Sequence, residues 1–265
     1  MTQIYGHYHQ ALARQVRRRL IPLAACLTLA TALAGGAGMA QDSPAAGGIT
    51  ASAGQPAPFD IVHARVSSEG RIVTFRMAVS GQAGESRPAP TGALAGSQVF
   101  AYVWPTTLDS ALVGFEPKAG ILAMVATAHP DFDDTPLYDE NRDGDRGNDG
   151  DLWHSHWVVL GPDDACGPGA LKVIDIPEGA SPSLPATWPG LPLLLDSPGW
   201  QPVLSGETVE IAVAFDDIAA TEGMGFDAVT AGLRVNANVH APLLCVSDIF
   251  KIASGDLSLP GRINQ

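Results

Sequence analysis

The sequence has few basic residues and, after its first 40 positions, no long apolar run. Its 265 residues include 15 Lys and Arg against 28 Asp and Glu, which gives a formal charge of −13. This acidic balance makes nucleic acid and anionic membranes poor partners. No stretch after residue 40 reaches the roughly 18 consecutive apolar residues of a membrane-spanning helix. We therefore expect no membrane span there.

The motifs of common enzyme classes are also missing. The sequence contains no Gly-x-Ser-x-Gly nucleophile elbow, no phosphate-binding glycine loop and no dinucleotide fingerprint. Carboxylate pairs such as Asp133 with Asp134 can in principle do acid–base chemistry, but such pairs usually belong to solvated turns. The sequence therefore favours a protein without catalytic activity.

Residues 1–40 have the pattern of a secretory signal peptide. Four arginines precede an apolar stretch at 20–33, and Ala-Gly-Met-Ala at 37–40 resembles a cleavage site. We predict export to the periplasm or the medium, by the general or the twin-arginine route. Cys26 lies in a weaker lipoprotein-like pattern. Without residues 1–40, which hold four basic and no acidic residues, the formal charge falls to −17.

Two cysteines, Cys166 and Cys245, remain after the predicted cleavage. An even number of cysteines in an exported protein favours a disulfide bond. Two thiolate metal ligands are the alternative, which is less compatible with an oxidising compartment. We predict one disulfide.

Short alternating segments separated by Gly and Pro predict an all-β protein. A single antiparallel β-sandwich with long loops accounts for residues 59–265, after a flexible leader at 41–58. The Pro- and Trp-rich segment 175–206 is predicted to be an ordered insertion, because its apolar residues must be buried. The predicted strands are 59–66, 72–79, 98–104, 121–127, 154–160, 170–174, 208–215 and 229–236.

The opening hairpin resembles that of DOMON-type β-sandwich modules. An apolar-Asp-Ile start at 59–61 leads through a glycine turn to Val73-Thr74-Phe75-Arg76-Met77, a likeness of about 25 residues. The resemblance implies an exported carbohydrate- or haem-binding sandwich. Haem-binding members pair a methionine with a histidine or lysine, but nothing else here supports haem, so only the fold is carried over.

An acidic loop at residues 129–151 is predicted to bind calcium. Between Asp131 and Asp151, nine acidic residues face only two arginines. Carboxylates at alternate positions with glycine at the sixth resemble an EF-hand loop, although Gly150 stands where a bidentate Glu is expected. A solvated acidic turn is the alternative. The candidate calcium ligands are Asp139, Asn141, Asp143, Asp145, Asp149 and Asp151.

Two histidines follow the acidic loop in a predicted strand. Because a strand alternates its faces, His154 and His156 project to one side while the flanking tryptophans project to the other. Two such imidazoles can chelate zinc or copper, with His129 or His240 as a third ligand. The alternative is that these histidines are structural.

We therefore expect an exported, non-catalytic metal-binding protein, with calcium in the acidic loop and zinc or copper at the histidines. A calcium-stabilised module for a glycan or another small ligand is the first alternative, using a tryptophan platform. A metal-dependent hydrolase using three histidines and an aspartate is the second. The tryptophans considered for the platform are Trp153, Trp157, Trp188 and Trp200.

Overall fold

The computed structural model describes residues 48–239 and 242–265. The predicted signal peptide and the first part of the leader lie outside these residues. Residues 48–58 run beside the first strand, where the Ile49 amide donates to the Val62 carbonyl at 2.8 Å. Within the described ranges, no helix has the length and apolar character needed to cross a bilayer.

The protein is all-β, with 37% of its residues in strands and 6% in helices, which are short 3-10 turns. The strands that the structure describes are β1 (Ile61–Glu69), β2 (Ile72–Val79), β3 (Gln98–Pro105), β4 (Ile121–Ala128), β5 (His154–Pro162), β6 (Leu171–Val173), β7 (Leu195–Asp196), β8 (Val203–Ser205), β9 (Thr208–Ala214), β10 (Gly225–Phe226), β11 (Val229–Val235), β12 (Leu244–Ile252) and β13 (Gly261–Arg262).

Six of these strands form a closed barrel, so the prediction of a single β-sandwich is wrong. The ring runs β4-β3-β11-β12-β6-β5, and β5 pairs with β4 to close it. A second sheet, in the order β1-β2-β9-β8, lies outside the ring. Alternation along each strand is the same in a sandwich and in a barrel. The two folds differ in the pairing of distant strands, which local sequence does not specify.

Strands β3, β4 and β5 are buried on both faces because the second sheet covers this part of the barrel. Alternate residues of β3, β4 and β5 point outward and pack against this sheet; for example, Phe75 of β2 contacts Trp104 and Trp157 edge to face. The intervening residues point into the barrel and form a separate aliphatic core with residues from β11 and β12. The protein therefore has one core between its layers and another inside its barrel.

Most of the predicted strands are present. β1 and β2 form the predicted antiparallel hairpin, whose turn is at Gly70 and Arg71, between the paired Glu69 and Ile72. The segment 175–206 contributes β7, which pairs with β5, and β8, which pairs with β9. The long strand β12 was not predicted. Because β12 lies between β11 and β6 in the ring, closure of the barrel could not be predicted without this strand.

The predicted disulfide is confirmed. Cys166 and Cys245 are bonded, with Cα atoms 5.4 Å apart and a sequence separation of 79. Cys245 lies on β12 beside Lys172 of β6, and this is the one residue pair that joins the two strands. The disulfide therefore cross-links the part of the barrel next to the strand pair, β6 and β12, that shares the fewest paired residues.

Replacing both cysteines by serine is expected to lower the free energy of unfolding by about 2–4 kcal/mol, because the bond restricts a long loop in the unfolded chain. Urea denaturation of the oxidised protein and of the double variant measures this difference. Reduced wild-type protein should match the variant. Equal unfolding midpoints for oxidised wild type and variant would contradict the stabilising role.

Candidate metal centre

Strand pairing brings the histidines of β4 and β5 together. In the β4–β5 ladder, Thr127 lies opposite His154 and Val125 lies opposite His156. His129 follows β4 by one residue and shares the face of Thr127 and Val125, since side chains alternate along the chain. All three imidazoles therefore meet at one end of the barrel.

A fourth side chain, Asp134, enters this group from the loop between β4 and β5. Its Oδ1 atom lies 3.2 Å from the Nε2 atom of His129, 3.1 Å from that of His154 and 3.2 Å from that of His156. The Nε2 atoms of His129 and His154 are 3.0 Å apart. The four ligand atoms lie within 4.8 Å of one another, so the cluster can hold a metal ion.

The opposite ring nitrogens fix the tautomer of each histidine. Nδ1 of His129 lies 3.0 Å from the Phe132 carbonyl, and Nδ1 of His154 lies 2.8 Å from the Leu152 carbonyl. A carbonyl only accepts, so both Nδ1 atoms must be donors. In the neutral rings, both Nε2 atoms therefore carry a lone pair and no proton.

His156 is oriented by a serine in the same way. Its Nδ1 atom lies 3.1 Å from Ser197 Oγ, and this hydroxyl donates to the Asp134 carbonyl at 2.6 Å. Because the hydroxyl proton is already committed, Ser197 must accept the Nδ1 proton of His156. Ser197 therefore links a histidine to the backbone of the aspartate, in the manner of residues that orient metal ligands.

The carboxylate oxygen of Asp134 and the three Nε2 atoms lie close together without hydrogen bonds that would explain their proximity. Asp134 Oδ1 and His156 Nε2 are buried without a hydrogen-bond partner, and the lone pairs of His129 and His154 face each other. A cation between them, either a proton or a metal ion, is required. Ligands about 2.0–2.1 Å from one ion, at angles of about 90–110°, lie about 2.9–3.4 Å apart. Four of the six separations, namely the His129–His154 pair and the three that involve Asp134 Oδ1, are 3.0–3.2 Å and fall in this range, and all four atoms lie within 4.8 Å of one another.

The cluster is shielded from water, since the imidazoles are 1% exposed and Asp134 is 5% exposed. Burial opposes ionisation of Asp134, but His129 and His156 hold the pKa of its carboxyl well below the ordinary value. Burial lowers the pKa of His156. Burial also opposes a charge on His154, but the adjacent Asp134 carboxylate and the Leu152 carbonyl together raise its pKa. The site thus keeps a buried carboxylate that needs a positive partner.

The acidic loop folds back onto this cluster. The His129 amide donates to the Gly150 carbonyl at 2.6 Å. A Cβ atom at Gly150 would lie 1.8 Å from the Phe132 carbonyl oxygen, so no side chain fits there. The Phe132 ring stacks on His129 with centroids 3.9 Å apart. Gly150, the position that departs from the EF-hand pattern, is therefore a packing requirement of the histidine cluster.

The predicted calcium ligands bond mainly to the loop itself. Asp139 accepts the amides of Asp143 and Gly144, and the Asp143 carboxylate accepts the Asp145 amide. Asn141 donates to Asp143. This arrangement closes the turn without a cation, and the calcium site stays a prediction.

The two remaining aspartates differ in burial and in their partners. Asp149 is buried and accepts the Glu140 amide at 2.8 Å, whereas Asp151 pairs with Arg87 at 3.5 Å. The other carboxylate oxygen of Asp149, Oδ1, is buried without a hydrogen-bond partner.

Replacing Asp139 and Asp143 by asparagine tests the calcium prediction. If the loop binds calcium, a hundredfold excess over Kd stabilises the protein by about 2.7 kcal/mol, because only the folded state binds. Thermal melting with calcium and with a chelator should then differ for wild type but not for the double variant. A shift of equal size in both proteins would place calcium elsewhere.

Two further sequence predictions concern His240 as a metal ligand and the tryptophans as a stacking platform. His240 lies outside the described residues. Trp153 and Trp157 are 7% and 0% exposed and belong to the core between the layers, so they do not form an exposed stacking platform.

Sequence reasoning missed Asp134 and Ser197 as parts of the cluster. Asp134 was considered only as one of a carboxylate pair, because a loop residue has no periodicity that assigns its direction. Its position five residues after His129 was the available signal.

Comparison of the chain with protein-family models, with curated proteins and with solved structures gave no match. The resemblance to DOMON-type modules therefore stays untested.

The role of Ser197 can be measured with Ser197→Ala. Loss of the acceptor for His156 Nδ1 should weaken metal binding by about 10–100-fold while the fold persists. Ser110→Ala is the matched control, because Ser110 is also buried, donates to a carbonyl and accepts an N–H group. Competition titration with a zinc chelator measures both affinities. Equal losses in the two variants would make the effect one of general stability.

Proposed function

We propose that this chain is an exported metal-binding protein whose principal site is the cluster of His129, Asp134, His154 and His156. The observation that carries this proposal is the convergence of three imidazole lone pairs on one carboxylate oxygen, with Nε2–Oδ1 distances of 3.1–3.2 Å. Residues that serve only to fill a core do not leave such atoms facing each other without hydrogen bonds.

The donor set favours zinc or copper. Imidazole nitrogen suits zinc and copper, whereas calcium prefers six to eight oxygen ligands. Three histidines and one aspartate supply four ligand atoms within 4.8 Å of one another. Each histidine has a polar partner for its second nitrogen, as metal-binding histidines usually do.

Export is supported by the signal-like segment at 1–40 and by the Cys166–Cys245 disulfide. Disulfides persist in oxidising compartments. A protein with a formal charge of −13 also attracts cations from solution.

The principal test is metal titration of wild type, His154→Ala, His156→Ala and Asp134→Asn. Wild type should bind one zinc or copper ion per chain, and each variant should bind at least tenfold more weakly because the chelate loses a ligand. Copper binding is visible as quenching of Trp153 and Trp157, which flank the histidines. Metal analysis of protein purified from its native compartment identifies the physiological ion.

Affinity should also fall when the pH is lowered from 7.5 to 5.5. Protons compete with the metal for the Nε2 atoms, and the raised pKa of His154 strengthens this competition. His63→Ala is the matched control, because this half-buried histidine of β1 is outside the cluster. Binding that is independent of pH, or equally weakened by His63→Ala, would overturn the assignment.

A further inference from the structure

The barrel encloses an apolar cavity next to the metal centre. The cavity has a volume of about 350 Å³ and is lined by aliphatic side chains from all six strands, with His129, Asp134 and His156 in its wall. Apolar cavities of about 150 Å³ stay dry and bind benzene. Scaled by volume from the benzene cavity, the barrel cavity has room for a ligand of about a dozen non-hydrogen atoms.

Small residues create this space. Ala101 of β3 lies directly opposite Ala231 of β11, and both side chains face the cavity. A barrel this narrow is ordinarily filled by its own side chains. The alanine pair therefore leaves room that larger residues at these positions would occupy.

One side of the cavity reaches the surface beside β12. Ile249 lines the cavity yet is 51% exposed, an unusual position for an inward-facing isoleucine of a barrel. It lies on β12 beyond the single residue pair, Cys245 with Lys172, that joins this strand to β6. The gap between the two strands gives an apolar molecule a route into the barrel.

Three polar atoms without hydrogen-bond partners are grouped at the metal end. Among the described residues, Thr127 Oγ1, Asp134 Oδ1 and His156 Nε2 are buried and unpartnered, and all three residues line the cavity. Asp134 and His156 are metal ligands in the proposed function. Thr127, only 7% exposed, retains a hydroxyl donor for a group inside the cavity.

The charge of a loaded centre selects the head group of a ligand. A divalent ion, one carboxylate and three neutral imidazoles sum to a single positive charge in an apolar surrounding, where an unpaired charge is costly. A monoanion neutralises that charge. A carboxylate offers one oxygen to the metal and a second oxygen that can accept a hydrogen bond from Thr127.

We propose that the barrel binds an apolar monocarboxylic acid of about a dozen non-hydrogen atoms, with its carboxylate on the metal and its hydrocarbon part in the cavity. This inference rests on the proposed metal site. The ligand class follows from the aliphatic lining, the positive charge of the loaded centre and the unpartnered Thr127 hydroxyl.

Decanoate is the probe, and its binding is measured by calorimetry on zinc-loaded and on metal-free protein. Zinc-loaded protein should bind decanoate at least tenfold more tightly than metal-free protein. Decanol, which has no charge, should show no such preference. Affinity should rise about fourfold for each methylene added between hexanoate and decanoate, as apolar burial predicts. Decanoate that binds both forms equally, or neither, would overturn the proposal.

Cobalt substitution reports the metal contact directly. Decanoate should change the visible absorption of cobalt-loaded protein, whereas decanol should not. An unchanged spectrum at saturating decanoate would show that the carboxylate does not reach the metal. Failure of the protein to bind zinc or cobalt at all would instead overturn the proposed function, and metal stoichiometry measured beforehand distinguishes the two results.

Two variants test the cavity and the hydroxyl separately. Thr127→Val should weaken decanoate about tenfold, because a hydrogen bond to a charged group is lost, while decanol binding and zinc content stay unchanged. Ala231→Leu should weaken decanoate more than hexanoate. Ala212→Leu, at an exposed position of β9, is the matched control. If neither Thr127→Val nor Ala231→Leu changes decanoate binding, the ligand lies outside the barrel.

Discussion

A buried carboxylate surrounded by imidazole lone pairs is the constraint on which this end of the barrel depends. Asp134 is 5% exposed and meets three Nε2 atoms at 3.1–3.2 Å. Because the opposite nitrogens donate to fixed acceptors, none of the neutral rings can offer Asp134 a proton. Leaving such a charge unpaired costs several kcal/mol. The cluster therefore favours a positive partner at this point and could hold a metal ion, and the surrounding loop contacts keep its four side chains together.

The acidic loop contributes to this organisation through its backbone. Its carboxylates accept main-chain amides, as in the contacts of Asp139 with Asp143 and Gly144, and these bonds give a long loop a defined shape. Gly150 allows the loop to return against His129 without a steric clash. The concentrated negative charge also raises the local concentration of cations. A pattern that resembles a calcium loop can thus assist a neighbouring centre made mainly of nitrogen.

The sequence predicts the parts of the fold and of the site that depend on alternation. It places β1 to β5 and sets His154 and His156 on one face, because neighbouring side chains of a strand point in opposite directions. It does not predict the barrel, since closure depends on β12 and on pairing between residues far apart in the chain. Asp134 and Ser197 were missed for a related reason. They lie in loops, where direction is set by tertiary contacts.

Barrel closure also determines the electrostatic character of the metal centre. Beside water, charges are screened and a single positive charge has little effect. In the barrel, the wall beside these residues is aliphatic, and the Ala101–Ala231 pair keeps space next to it. Interactions between the ion and any anionic group in that space are correspondingly strong. The enclosure that makes the buried aspartate costly without a positive partner is therefore also the basis on which we propose an apolar anionic ligand.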